Sequence, residues 1–245
     1  MRTQLGGVFF LIVVVQALDL YPDFSAPERP GLPLDLWDCV ELLGTALLAP
    51  MAQAERTDPV WSLLGGLAAR PHGESPGTGF RPPPWRVPAD WLAPFGTSES
   101  AARQWSWSVT RGRLRVDHPA GFPAVLVPRH GPAAGQVRTE AHRMGALPGS
   151  LRRGRLPALP TGALSAWVQA LARYAGARCG LALGCPQREV AALLLRRPAR
   201  VCATPTRLDV FFSLADHPVA VRRAGLDRDP GWIPAGGRSV SFHFD

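Results

Sequence analysis

The residues able to do chemistry in this chain are few, and most stand apart from one another. Cys179 and Cys185 are the closest pair of thiols, yet they lie farther apart than the roughly two to four residues that separate zinc-ligand pairs. No second Cys or His pair stands at a matching distance. His130 and His142 are too far apart to share a helical turn. Asp216-His217 has no evident Ser or Cys partner, there is no G-x-S-x-G elbow, and a turn before Pro218 is the simpler reading. "GPAAGQ" lacks the Lys of a phosphate-binding loop, which argues against an ATPase. No cofactor or metal is implied.

Two polar groups remain as candidates for recognition. "LDRDPGW" sets Asp227, Arg228, Asp229 and Trp232 close together. They offer acid for a cation or a basic partner, although Asp before Pro-Gly is foremost a turn former and Trp232 reads as a cap on the core. Arg152, Arg153 and Arg155 form a basic cluster without interleaved aromatic rings, a solvated loop more than a nucleic-acid platform. Trp85 and Trp91 flank a proline-rich stretch and read as anchors pinning an extended segment. A dispersed active site would need His118, His217 or His243 beside an acid in a cleft.

Composition weakens the nucleic-acid reading further. The net charge is +8, but all 27 basic residues are Arg, and Lys and Asn are absent. That usage points to a GC-rich genome, so the basic balance reflects codons as much as partners. With 46% hydrophobic residues in 245, the chain is long enough to bury one sizeable core or two small ones.

The elements that must position these groups follow from periodicity. Within "LGGVFFLIVVVQALDLYPDF", Val8, Leu11, Ile12, Val15 and Leu18 recur at helical spacing, and Leu20, Tyr21 and Phe24 prolong the apolar set. Gln16 and Asp19 cut the run below the ~20 apolar residues of a membrane span. A buried first helix in a cytoplasmic protein is expected, the alternative being a secretory signal cleaved near Ala17. Cys39 and Cys202 read as small buried hydrophobes, and Cys179 and Cys185 as bridged only in an oxidising compartment.

Helices are expected from about Pro33 to Leu48 and from Pro59 through Ala68, then an extended connector from Arg70 to Phe95. "WSWSVTRGRLRV" alternates on both sides of Arg111-Gly112, which predicts a hairpin with Trp105 and Trp107 facing inward. "AVLVP" extends it, and His130 to Pro160 is expected to be a long surface loop. Further helices over Leu164–Tyr174 and Pro186–Leu194 precede two strands around Pro205 and a terminal strand with Val240, Phe242 and Phe244 on one face. The fold class is α+β, with helices packed on small antiparallel sheets. Residues 1–95 are expected to form a helical region with its proline-rich connector and residues 96–245 to hold the hairpin, helices and terminal antiparallel sheet, the alternative being one continuous domain.

"GGVFFLIVVVQALDLYPDF" and "RAGLDRDPGWIPAGGRSVSFHFD", with the "DPVWSLLGGLA" helix, resemble a group of poorly characterised bacterial proteins associated with gene clusters for phage-tail-like contractile injection systems. The likeness covers about a third of the chain and carries no active site. It implies an accessory or assembly role; in such proteins a longer region often precedes the apolar opening, so this chain would be a shortened member or a carboxy-terminal piece. The expected function is accordingly noncatalytic binding of protein partners, with eight Trp residues available as anchors. The alternatives are a hydrolase or transferase with dispersed residues and a basic nucleic-acid binder.

Overall fold

The computed structural model describes residues 1–22, 31–96, 104–145 and 151–245. Phe24 lies outside them, as do residues 146–150 of the expected loop. The described chain divides into two compact units, Met1–Phe80 with Cys179–Asp245, and Arg81–Arg178. The sequence reading gives one cut after residue 95 or one continuous domain.

The first unit is built on the apolar opening. Strand β1 (Arg2–Thr3) leads into a 3₁₀ turn at Gly6–Phe10 and helix α1 at Leu11–Ala17. Val8, Leu11, Ile12 and Val15 are fully enclosed, as their spacing demands. Two glycines permit this depth. A Cβ on Gly6 would collide with the Ala199 side chain, and one on Gly7 with the backbone carbonyl of Leu194. At Gly7 backbone therefore packs on backbone, an approach that no other residue type allows.

Helix α2 (Leu36–Leu48) starts on the Asp35 carboxylate, which accepts the Trp37 N–H at 2.8 Å. A single turn, α3 (Gln53–Arg56), precedes α4 (Pro59–Leu67). Asp58 caps α4 by accepting the Val60 N–H at 2.9 Å, and it also accepts from the Thr3 hydroxyl and the Gln4 N–H. One carboxylate thus starts a helix and ties it to the amino-terminal strand. Arg70 joins Asp38 and Glu41 at 2.7 and 2.6 Å, and Asp38 also accepts the Gly77 N–H at 2.7 Å.

The rest of this unit is a five-stranded sheet. Helix α8 (Gln187–Val190) runs into a π-helical turn at Ala191–Leu195, followed by β7 (Ala199–Ala203) and β8 (Arg207–Phe212). Short α9 (Val219–Arg223) then carries the chain to β9 (Gly231–Ile233) and β10 (Arg238–Phe244). The order is β1-β7-β8-β10-β9. Against the antiparallel expectation, β10 lies parallel to β8, with Phe242 opposite Val210; the crossover through α9 supplies the length that a parallel return requires. Val201, Val210, Phe212 and Phe242 point inward. Phe10 stacks on Phe212 at 4.8 Å and meets Phe242 edge-on at 5.0 Å. Cys202 is exposed, contrary to its reading as a buried hydrophobe, because strand alternation turns it away from inward Val201. Cys39 is buried, and among the described residues no two cysteines form a disulfide.

The second unit holds another five-stranded sheet: β2 (Trp85–Arg86), β3 (Trp105–Thr110), β4 (Arg113–Asp117), β5 (Pro123–Pro128) and β6 (Leu151–Arg153), in the order β2-β5-β4-β3-β6. Arg111 and Gly112 both take positive φ, 51° and 71°, the two-residue turn that matches strand twist. Strand β4 is buried on both faces. Trp105 is 4% exposed, but Trp107 is only half-buried, with the Arg153 guanidinium 5.6 Å above its ring. The inward-facing reading holds for one tryptophan of the two.

Two more elements correct the expected surface loop. Helix α6 (Ala133–Arg143) buries Val137, Glu140 and Ala141, a stripe at i, i+3 and i+4 hidden among Gly and Arg. Strand β6 pairs with β3 in parallel. The connector also contains a helical turn, α5 (Ala89–Leu92), followed by a 3₁₀ turn at Ala93–Phe95. Helix α7 (Ala163–Leu183) is longer than expected, and the division between the units falls within it, after Arg178. Among the described residues no helix is long and apolar enough to cross a membrane. The architecture is α+β with two mixed sheets.

Two predictions follow from this packing. Gly7→Ala should destabilise the chain by about 1–3 kcal/mol or more through overpacking against Leu194, read from denaturant unfolding; an unchanged midpoint would show that this approach relaxes freely. In the same measurement Trp105→Ala should cost about 3–5 kcal/mol and Trp107→Ala clearly less. Equal losses would contradict the difference in their burial.

Candidate functional site

Three groups of polar side chains qualify by geometry. The first stands after β8. His217 Nε2 lies 3.0 Å from Asp227 Oδ2, and the Arg222 guanidinium donates to the same oxygen at 3.0 Å. Helix α9 brings them together, because it spans the interval between His217 and Asp227. The His217 side chain is 3% exposed and is surrounded by the rings of Phe10, Phe212 and Phe244, the last at 4.6 Å. Its Nδ1 has no hydrogen-bond partner among the described residues, and neither does the buried Nε of Arg197. Burial pushes the imidazole below the usual histidine pKa, the nearby Arg222 and Arg197 charges add to this, and Asp227 opposes it. At neutral pH His217 is therefore uncharged and donates from Nε2 to Asp227. Sequence order alone misses the pair, since the acid follows ten residues later.

The second group lies on the outward face of the first unit's sheet. His243 Nε2 is 2.8 Å from Asp209, which also accepts from Arg207 at 3.0 Å. The bond from His243, followed by Arg207, holds the Asp209 carboxyl below the usual range. His243 stacks on Phe211 at 4.5 Å, and Arg200 covers that ring at 3.9 Å. The Cys202 thiol accepts from Arg200 at 3.4 Å and has no bond to His243. This is a surface ladder across three strands, in which each polar side chain already has a neighbour.

The third group belongs to the second unit. On one face of β3 and β4, Ser108 stands opposite Arg115, and Thr110 opposite Arg113. Arg115 is buried. It forks onto the Asp117 carboxylate and donates its remaining reach to the Pro157 carbonyl. That bond fastens the segment Arg155–Thr161 over the sheet, and between them lies a cavity of about 370 Å³. Its walls combine Arg111, Arg113, Arg115 and Arg155 with the hydroxyls of Ser108, Thr110 and Thr161 and an apolar side from Leu156 to Pro160.

Comparison with known proteins adds nothing to these groups. No family model, curated protein or solved structure matches the chain.

The residues singled out from sequence fare differently. Trp85 is buried in the second unit, where its indole N–H donates to the Pro123 carbonyl at 2.7 Å and its ring meets Trp167 edge-on. Trp91 stacks on Tyr174 at 4.9 Å and accepts the Tyr174 hydroxyl on its carbonyl at 2.8 Å. Trp85 is an internal anchor, and Trp91 is a half-buried one. Asp227 is occupied by His217 and Arg222, and Asp229 accepts the Phe242 N–H at 2.6 Å, so these acids brace the turn. Among the described residues no group of three or more acids, thiols or imidazoles is arranged to hold a metal. Trp232 is 52% exposed on edge strand β9, not a cap on the core. Arg152, Arg153 and Arg155 are exposed; the first two lie on edge strand β6, and the third lines the cavity. Sequence reading missed Arg111, Arg113 and Arg115 as partners of Arg155. Their alternation with Leu114 and Val116 was the available signal, since it sets Arg113 and Arg115 on one face.

The first group generates a pH prediction. Because the unfolded chain binds a proton on this imidazole at higher pH than the folded chain does, stability should fall as pH drops below the ordinary histidine value of 6.5. His217→Gln keeps a donor for Asp227 but cannot titrate. Denaturant midpoints measured from pH 8 to 5 should therefore decline less steeply in the variant, and parallel curves would show that His217 does not supply the slope.

Proposed function

We propose that this chain is a noncatalytic accessory or assembly protein that binds a protein partner through the arginine-bearing sheet edge of its second unit. The observation that carries the reading is strand β6. It closes one end of the sheet order, pairs only with β3 among the described residues, and exposes Arg152 and Arg153. Such an edge accepts an extended segment by main-chain hydrogen bonding, and guanidinium groups beside it select acidic side chains. Charge there raises the encounter rate and discriminates among partners.

The alternatives draw less support from the same geometry. His217 is enclosed by aromatic rings and its acid is shared with Arg222, a setting for a structural clamp more than for proton transfer to substrate. The ring nearest the exposed arginines, Trp107, is already covered by Arg153, whereas single-strand binding relies on open aromatic faces. The resemblance of the chain ends to proteins of contractile injection system clusters directs the search for a partner toward components encoded in such a locus, and toward the cytoplasm as the place of assembly.

A photo-reactive residue at position 151 tests the reading, since the chain has no lysine for amine-directed cross-linking. Irradiation in the native host should join the chain to a specific protein, and Arg152→Glu with Arg153→Glu should remove most of that product while leaving the fold intact. Cross-links that persist after charge reversal, or that lead to nucleic acid, would overturn it.

A further inference from the structure

The cavity beneath Arg155–Thr161 has a charge that the protein does not balance. Arg115 is neutralised by Asp117. Arg111, Arg113 and Arg155 have no acidic partner among the described residues, and no carboxylate is among the residues that line the space. Among the described residues the Ser108, Thr110 and Thr161 hydroxyls also have no hydrogen-bond partner. Three cations and three hydroxyls thus converge on one volume, held at fixed spacing by the two-residue turn at Arg111-Gly112 and by the cross-strand pairs Ser108–Arg115 and Thr110–Arg113.

Two features make this a formed site and not a run of surface arginines. One is the roof: the Pro157 carbonyl is held down by the buried Arg115, so the cavity stays open without collapsing onto the sheet. The other is the division of its walls. Charge and hydroxyls occupy the strand side, whereas Leu156, Pro157, Ala158, Leu159 and Pro160 form an apolar side with Leu126 and Ala166. A volume near 370 Å³ lies within the range of small-molecule sites, roughly 300–1,000 Å³. That all bases in this chain are Arg makes the residue type uninformative; what carries weight is their convergence with no counter-charge.

We propose that this cavity is a binding site for a small organic phosphate, its phosphate groups held by Arg113, Arg155, Arg111 and the Ser108 and Thr110 hydroxyls and its less polar body lying along Leu156–Pro160. Guanidinium groups bind phosphate by paired, charge-assisted hydrogen bonds, and hydroxyls supply the remaining donors. Arg115 acts as a positioning residue, committed to Asp117 and to the roof. The site is separate from the exposed edge at Arg152 and Arg153, so the two proposals stand or fall independently.

Titration calorimetry on the full chain decides the matter, with inorganic pyrophosphate and ADP as probes at about 0.1 M chloride, where weak surface attraction is largely screened. Both should bind one to one, ADP more tightly because its nucleoside adds contact with the apolar side. Arg155→Gln, at an exposed position whose loss leaves the core untouched, should weaken both by about tenfold, as for a lost charge-assisted contact. Arg113→Gln should do the same with an unchanged thermal midpoint, and Arg152→Gln should change neither. Absence of binding at millimolar probe, or equal affinity in the wild type and both cavity variants, would overturn the site. Equal affinity for pyrophosphate and ADP would overturn the organic phosphate as its ligand.

Discussion

The first unit depends on the passage of its opening segment through a gap only backbone can fill. Gly6 and Gly7 lie against Ala199 and the Leu194 carbonyl, so the 3₁₀ turn sinks until Val8, Phe9 and Phe10 have no contact with solvent. Everything near it is arranged around that depth. Phe10 sets the spacing of Phe212 and Phe242, and so of β8 and β10. The π-helical turn at Ala191–Leu195 places the carbonyl against which Gly7 packs. Gly44 gives α2 a close contact with Val8 in turn. Burying this many large apolar groups supplies the hydrophobic stabilisation, and the absence of two side chains is what makes the burial possible.

That constraint shows what the sequence could reveal. The apolar opening, α2, α4, the hairpin and the strands around Pro205 are legible because each carries a regular period, and several a clear start or turn: Pro33 and Pro59 at the expected helix starts, Arg111-Gly112 between the strands. Burial of Val8, Leu11, Ile12 and Val15 follows from spacing alone. Helix α6 is less legible because its apolar stripe is only Val137 and Ala141, completed by Glu140, which is buried through bonds to Arg86 and Arg143 at 3.0 and 3.1 Å. Periodicity weighs hydrophobicity, so a stripe finished by a paired acid goes unseen. The parallel placement of β10 is set by the path of the chain through α9, which pattern does not encode.

Buried polar pairs explain most of what sequence reading took for candidate chemistry. Asp227, Asp229 and Asp58 each accept hydrogen bonds from groups distant in sequence, and an unpaired polar group in those places would cost far more than the pairing gains. Asp227 carries His217 and Arg222 at once; Asp229 holds the backbone of β10; Asp58 joins β1 to α4. In each case a carboxylate fixes the relation of two elements. The same logic applies to buried Trp85, since an indole N–H inside a protein must find a carbonyl, as Trp85 finds that of Pro123.

Arg115 marks where this economy stops. Its charge is matched by Asp117 and its direction is fixed by Pro157, so it behaves like the other buried groups. Two residue pairs along the same strands, Arg113 faces Thr110, and neither side chain has an internal partner among the described residues. The difference is not solvent exposure alone, because Arg113 is itself partly buried. A half-buried guanidinium beside two others is held against their mutual repulsion, and the fold keeps it there by a tight turn and a fastened roof. A site that maintains like charges in a fixed cavity lowers its own free energy when an anion enters, whereas a solvated arginine on a free surface gains little. The contrast between neighbouring Arg115 and Arg113, one satisfied and one waiting, separates framework from binding surface in this unit.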